Sequence, residues 1–142
     1  MNYSKTVTKS TEYRENNDCS VKAVAISCDV SYTVARRALA LFGRASRQGT
    51  TLTVIKQAIK YLGYHLELVQ HTARTVKTLP SDRQLDNGYY VALVSGHILA
   101  MVNNKVEDWT EGRRHKVQLV LKVTPQITRK DRKAVIKYLL GA

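Results

Sequence analysis

The hydrophobic period of this chain changes once, at Gly63, and that change divides the molecule. From Asp18 to Leu62 apolar residues recur at helical spacing; beyond Gly63 they alternate or gather in short runs bounded by turn residues. Helices first and strands second predict an α+β domain, with N-terminal helices packed on a C-terminal antiparallel sheet. Its 142 residues suit one domain, assigned to residues 13–142, with the polar residues 1–12 expected as a flexible N-terminal arm.

The first helix is expected after Asn17 or Asp18 as N-cap, with Val21, Val24, Ala25 and Cys28 inward and Ala23 and Ile26 widening the stripe. Ser31 caps a second, which buries Val34, Ala35, Ala38, Leu39 and Phe42 and stops at Gly43. A basic, flexible loop at Arg44–Thr50 leads to a third, capped by Thr50 or Thr51 and ended by Gly63. "YHLELVQ" then reads as a strand. The polar stretch 71–88 contains a short helix around Thr75–Leu79, ended by Pro80, and closes on the Asp86-Asn87-Gly88 breaker. The runs "YYVALVS", "HILAMV", "KVEDW" and "KVQLVLKV" are expected to form an antiparallel meander. A basic C-terminal helix capped by Thr128 would turn Ala134, Val135, Tyr138 and Leu139 inward and Arg129, Lys130, Arg132, Lys133 and Lys137 outward.

No basic n-region leads into an apolar segment, and apolar runs are too short to span a bilayer, so the sequence reads as non-membrane and without a signal peptide. Cys19 and Cys28 would share one helix, where a disulfide is geometrically poor; free thiols and a cytoplasmic location follow. The four histidines are scattered and no second cysteine pair exists, so neither a metal nor an organic cofactor is expected. Twenty-three Lys and Arg against 11 Asp and Glu give a net charge of +12, a field that draws acidic partners or nucleic acid. If Arg113, Arg114 and Lys116 converge in space with the charged face of the last helix, they form one anion-binding surface.

Cys19 opens the first helix of the apolar-periodic region. Free N–H groups and the positive end of the helix dipole favour its thiolate there, and the same N–H groups can donate to an oxyanion. With Asn103-Asn104 as a type I′ turn, Val102 pairs with Lys105, Met101 with Val106, Ala100 with Glu107, Leu99 with Asp108 and Ile98 with Trp109. His97 and Asp108 then become diagonal neighbours on one face, where the carboxylate orients the imidazole; Trp109 faces the other way, into the core. Gly96 leaves room for a close approach at the strand entry.

"NNDCSVKAVAISCDVSYTVARRAL", with "GTTLTVIKQAIKYLGY" and "SGHILAMVNNKVEDW", resembles the papain-like cysteine peptidase superfamily. It is similar in particular to small phage-type papain-like proteins and to the peptidase domains that remove double-glycine leaders from bacteriocins. The resemblance implies a thiol hydrolase acting on a peptide, isopeptide or other amide bond of a peptide or protein substrate, acidic substrates suiting the charge. Cys19 would be its nucleophile, His97 its general acid and base, and Asp108 the orienting residue. Where that superfamily commonly carries an oxyanion glutamine this chain has Tyr13, so Asn16 and Asn17 become the oxyanion candidates. The alternative is a catalytically weak or inactive member that binds nucleic acid or a host protein through its basic surface.

Overall fold

The computed structural model describes residues 1–141. Five α-helices precede or follow a five-stranded antiparallel sheet: α1 (Tyr3–Glu12), α2 (Cys19–Ser27), α3 (Tyr32–Leu41), α4 (Leu52–Tyr61), β1 (Tyr64–Val69), β2 (Tyr89–Val94), β3 (His97–Val102), β4 (Lys105–Glu107), β5 (Val117–Pro125) and α5 (Arg129–Leu139). The α+β arrangement is the expected one. Ser31, Thr51 and Thr128 cap α3, α4 and α5, each hydroxyl accepting from the N–H three residues on.

Residues 1–12 are not an arm. Asn2 caps α1 by accepting from the Lys5 N–H, and the helix packs Thr6 and Ser10 inward. The Thr6 hydroxyl donates to the Tyr3 carbonyl and Ser10 to the Glu15 carbonyl, so the inner face is closed by hydroxyls rather than hydrocarbon. A helix buried through hydroxyls leaves no hydrophobic period to read.

The strand order is β1-β5-β2-β3-β4, which corrects the meander. β2, β3 and β4 are consecutive hairpins, but β5 crosses back to lie between β1 and β2, pairing Val120 with Val69 and with Ala92. β5 is the longest strand of the sheet, and both of its faces are covered, Val120 on one side and Leu121 and Val123 on the other; half-exposed β1, with Leu68 in solvent, takes the edge instead. On one face α2, α3 and α4 pack Val21, Val24, Ala38, Leu39 and Ile59 against Val91, Ile98, Leu121 and Val123. The polar 71–88 connection covers the other, inserting Val76, Leu79 and Leu85 against Tyr90, Leu99, Met101 and Val120. Its single 3₁₀ segment, Val76–Ser81, carries Pro80 inside rather than ending before it.

α5 sits on α3 and β1 with Arg132, Val135, Ile136 and Leu139 turned inward, and Tyr138 in solvent, a rotation of the expected face. The Arg132 guanidinium drives it, donating to the Ile127 carbonyl at 2.6 Å and lying over the Tyr64 ring. Gly63 fastens the same corner: its carbonyl accepts from the Gln126 and Ile127 N–H groups, its φ is +92°, and a Cβ there would collide with the Ile127 side chain. Gly63→Ala is expected to cost about 1–3 kcal/mol in urea unfolding, from the left-handed backbone and the displaced isoleucine together.

Candidate active site

Cys19 is the first residue of α2 and lies half-buried against the start of β3. Its N-cap, Asp18, does not cap with its side chain. That carboxylate is buried, accepts from the Tyr32 hydroxyl at 2.6 Å and pairs with Lys22 at 3.5 Å, so no side-chain cap claims the first-turn N–H groups of α2. Burial alone would push the Cys19 thiol up. The His97 imidazole and the Ile98 and Ser20 N–H groups outweigh it, and the thiol titrates below its ordinary value. Cys28, wholly buried in the same helix region, is pushed up to about 12 by desolvation.

His97 begins β3 directly after the two-residue turn Ser95–Gly96, where Gly96 takes φ +69° and a Cβ would meet nothing within 4 Å. The glycine is thus required by the turn, not by a close neighbour. Asn103 and Asn104 both have positive φ, and the rungs Val102–Lys105, Met101–Val106 and Ala100–Glu107 form as the sequence predicts. Pairing then stops. Asp108 leaves the strand because its own Oδ2 accepts from the Thr110 N–H (3.2 Å) and hydroxyl (2.6 Å), so the Leu99–Asp108 and Ile98–Trp109 rungs are absent. The same oxygen lies 2.8 Å from His97 Nε2, which leaves Nδ1 as the ring nitrogen free to serve Cys19.

Burial would lower the His97 pKa, but the hydrogen bond to Asp108 and the neighbouring Cys19 raise it to about 9. A depressed thiol beside a raised imidazole favours the thiolate–imidazolium pair. Thr110, fully buried, orients Asp108 as Asp108 orients His97. The Asp-x-Thr spacing of a side-chain-closed turn is the signal that would have found it. Trp109 is not a core residue: it is 49% exposed and lies 5.5 Å from the His97 ring, flanked by Arg113 and His115.

Asn16, Asn17, Lys22, Gly96 and Trp109 surround Cys19 and His97 in a cleft of about 260 Å³. Tyr13 is elsewhere; its ring packs on Tyr32 and under Arg36, and its hydroxyl bonds Thr33 at 2.8 Å. The asparagine loop is instead held by Glu15, whose carboxylate has no exposed surface and accepts two bonds from Arg44 and one from Arg36. Burial raises the Glu15 pKa, but the guanidiniums outweigh it and hold the carboxyl below its ordinary range. Arg44, expected in a flexible basic loop, is therefore an internal pin.

The expected basic surface divides. Arg113, Arg114 and Lys116 precede β5 at the end nearest the cleft, while Arg129, Lys130, Arg132, Lys133 and Lys137 belong to α5, which follows the other end of that nine-residue strand. At about 3.3 Å per residue the ends of that strand lie roughly 26 Å apart, so the two groups leave the sheet at opposite ends. Among the described residues no group of three or more His, Cys, Asp or Glu side chains is placed to hold a metal ion, and no helix is long and apolar enough to cross a membrane. Set against family models, curated proteins and solved structures the chain finds no match, so any functional reading rests on its own geometry.

Proposed function

We propose that this protein is a papain-like thiol hydrolase, cleaving a peptide, isopeptide or related amide bond with Cys19, His97 and Asp108. The observation that carries the reading is the His97–Asp108 contact of 2.8 Å beside a thiol whose pKa the same imidazole depresses. The Cys19 thiolate attacks the carbonyl carbon, and the oxyanion that develops is met by first-turn N–H groups of α2 and by the amide of Asn16 or Asn17. Imidazolium Nδ1–H gives its proton to the leaving amine as the C–N bond breaks, leaving a thioester on Cys19. His97 then takes a proton from water, whose oxygen attacks the thioester and restores the thiolate. Asp108 and Thr110 hold the ring through both halves. No step needs a metal or organic cofactor. Two free thiols suit a reducing cytoplasm.

A library of internally quenched peptides tests this. Wild type and Cys28→Ala are expected to release fluorescence from a subset of sequences, with Cys19→Ala and His97→Ala silent. If Cys19→Ala retains the cleavage, or if the protein's binding to nucleic acid or a host protein survives Cys19→Ala with no hydrolysis detectable in wild type, the catalytic reading fails and the basic binding protein takes its place.

A further inference from the structure

Beside the cleft lies a larger groove of about 920 Å³, between the 71–75 loop and the approach to β5, lined by His71, Arg74, Arg114 and Lys116 and by no carboxylate. Its cations stand on a fixed frame. Thr75 bridges Lys116; the Val76 and Lys77 N–H groups donate to the His115 and Arg113 carbonyls at 3.0 and 2.8 Å; the Val117 N–H donates to the Arg74 carbonyl at 2.9 Å. On the far side the loop is tied down by Asp82, which accepts from the Thr72 and Ala73 N–H groups and the Thr72 hydroxyl. That carboxylate is buried, turned into the loop by these bonds, and does not line the groove. The Arg74, Arg114 and Lys116 side chains, by contrast, are exposed.

The groove also connects to the cleft. The Ser95 N–H donates to the Lys116 carbonyl at 3.2 Å, and the next residue, Gly96, lines the cleft around Cys19. Both turn residues are exposed, and no side chain rises from Gly96 to block a chain crossing it. We infer that this groove is a substrate subsite for an acidic polypeptide segment, which lies across Arg74, Arg114 and Lys116 while the chain passes over the Ser95–Gly96 turn to present its scissile bond to Cys19. This rests on the hydrolase reading. A polypeptide fits better than nucleic acid because the groove's continuation is a site for amide chemistry, and the one half-exposed aromatic of the region, Trp109, lies over His97 rather than in the groove.

The probes are a chloroacetyl-capped hexaglutamate peptide, its hexaglutamine counterpart, and iodoacetamide. At low salt the hexaglutamate reagent is expected to alkylate Cys19 about tenfold faster than the hexaglutamine one, the advantage fading as salt screens the charges. Arg74→Glu/Arg114→Glu/Lys116→Glu should remove the advantage, and the milder Arg114→Gln/Lys116→Gln should reduce it, both leaving the iodoacetamide rate unchanged. Lys130→Glu/Lys133→Glu on α5 should keep it. Equal rates for the two peptides, an equal loss from the α5 variant, or an oligothymidylate of the same charge that protects Cys19 better than free hexaglutamate each overturn the subsite. Failure of the hydrolase reading looks different: iodoacetamide would then find Cys19 no faster than a model thiol, whatever the groove carries.

Discussion

At pH 7 iodoacetamide is expected to alkylate Cys19 at least about a thousandfold faster than Cys28 in the folded protein, and at similar rates once both are unfolded in urea. The thiolate is the reacting species. Cys28 is wholly buried with its pKa pushed up to about 12, so almost none of it is ionised at neutrality, whereas His97 and the N–H groups of Ile98 and Ser20 hold the Cys19 pKa down. The two titrations bracket catalysis. Acidification protonates the Cys19 thiolate, so alkylation and hydrolysis both fall on the acid side. Alkalinisation removes the imidazolium proton of His97 at about 9, so hydrolysis falls there while alkylation does not, since the thiolate persists. Asp108→Asn takes away the largest influence raising His97: the imidazolium loses support, the Cys19 pKa rises, and turnover should drop by about 10⁴-fold. Mass-spectrometric peptide mapping over a pH series measures the alkylation; the outcome that defeats the triad is a Cys19 profile matching a free thiol near 8.5.

Arg44→Ala is expected to be the most destabilising single change away from the core, at about 3–5 kcal/mol in equilibrium denaturation. The side chains of Arg44 and Glu15 are 1% and 0% exposed, so removing the guanidinium strands a buried carboxylate with only the half-buried Arg36 for company. Against the 5–15 kcal/mol typical of a domain this is a large fraction. The sign of its pH dependence follows from Glu15, whose folded pKa lies below its reference value of 4.5. The pair's contribution is complete above that value and is lost as pH falls through the lower folded pKa, so wild type should weaken in acid more steeply than Arg44→Ala. Because the Glu15 backbone leads straight into Asn16 and Asn17, the variant should also loosen the cleft wall, seen as a slower turnover even where it remains folded. A loss below about 1 kcal/mol would mean that solvent reaches Glu15 readily and that the ion pair is not the pin described.

The helices α2 to α4, the strands, and even the Asn103-Asn104 turn with its three rungs were readable because their causes are local: a 3.6 or 2.0 period, a hydroxyl cap, a pair of residues tolerant of positive φ. The candidate site was half readable on the same terms. The register placed His97 and Asp108 within reach, but the strand ended two residues early, and the contact survives because Asp108 is turned by Thr110 rather than by a ladder. What escaped was whatever depends on distant partners. α1 is hidden because hydroxyls, not hydrocarbon, close its inner face; Arg44 looks like a loop charge until Glu15 is beside it; Trp109 looks like core until its ring is found over His97.

Sequence alone determined the helices α2 to α5, the strands and which thiol stands at a helix start, since these follow from backbone sterics and nearest neighbours. Only the tertiary structure decided that β5 lies between β1 and β2, that the basic residues part to opposite ends of that strand, and that a groove free of carboxylates opens next to Cys19. Strand order and charge convergence depend on how buried area is shared among segments far apart in the chain, and no local period encodes that.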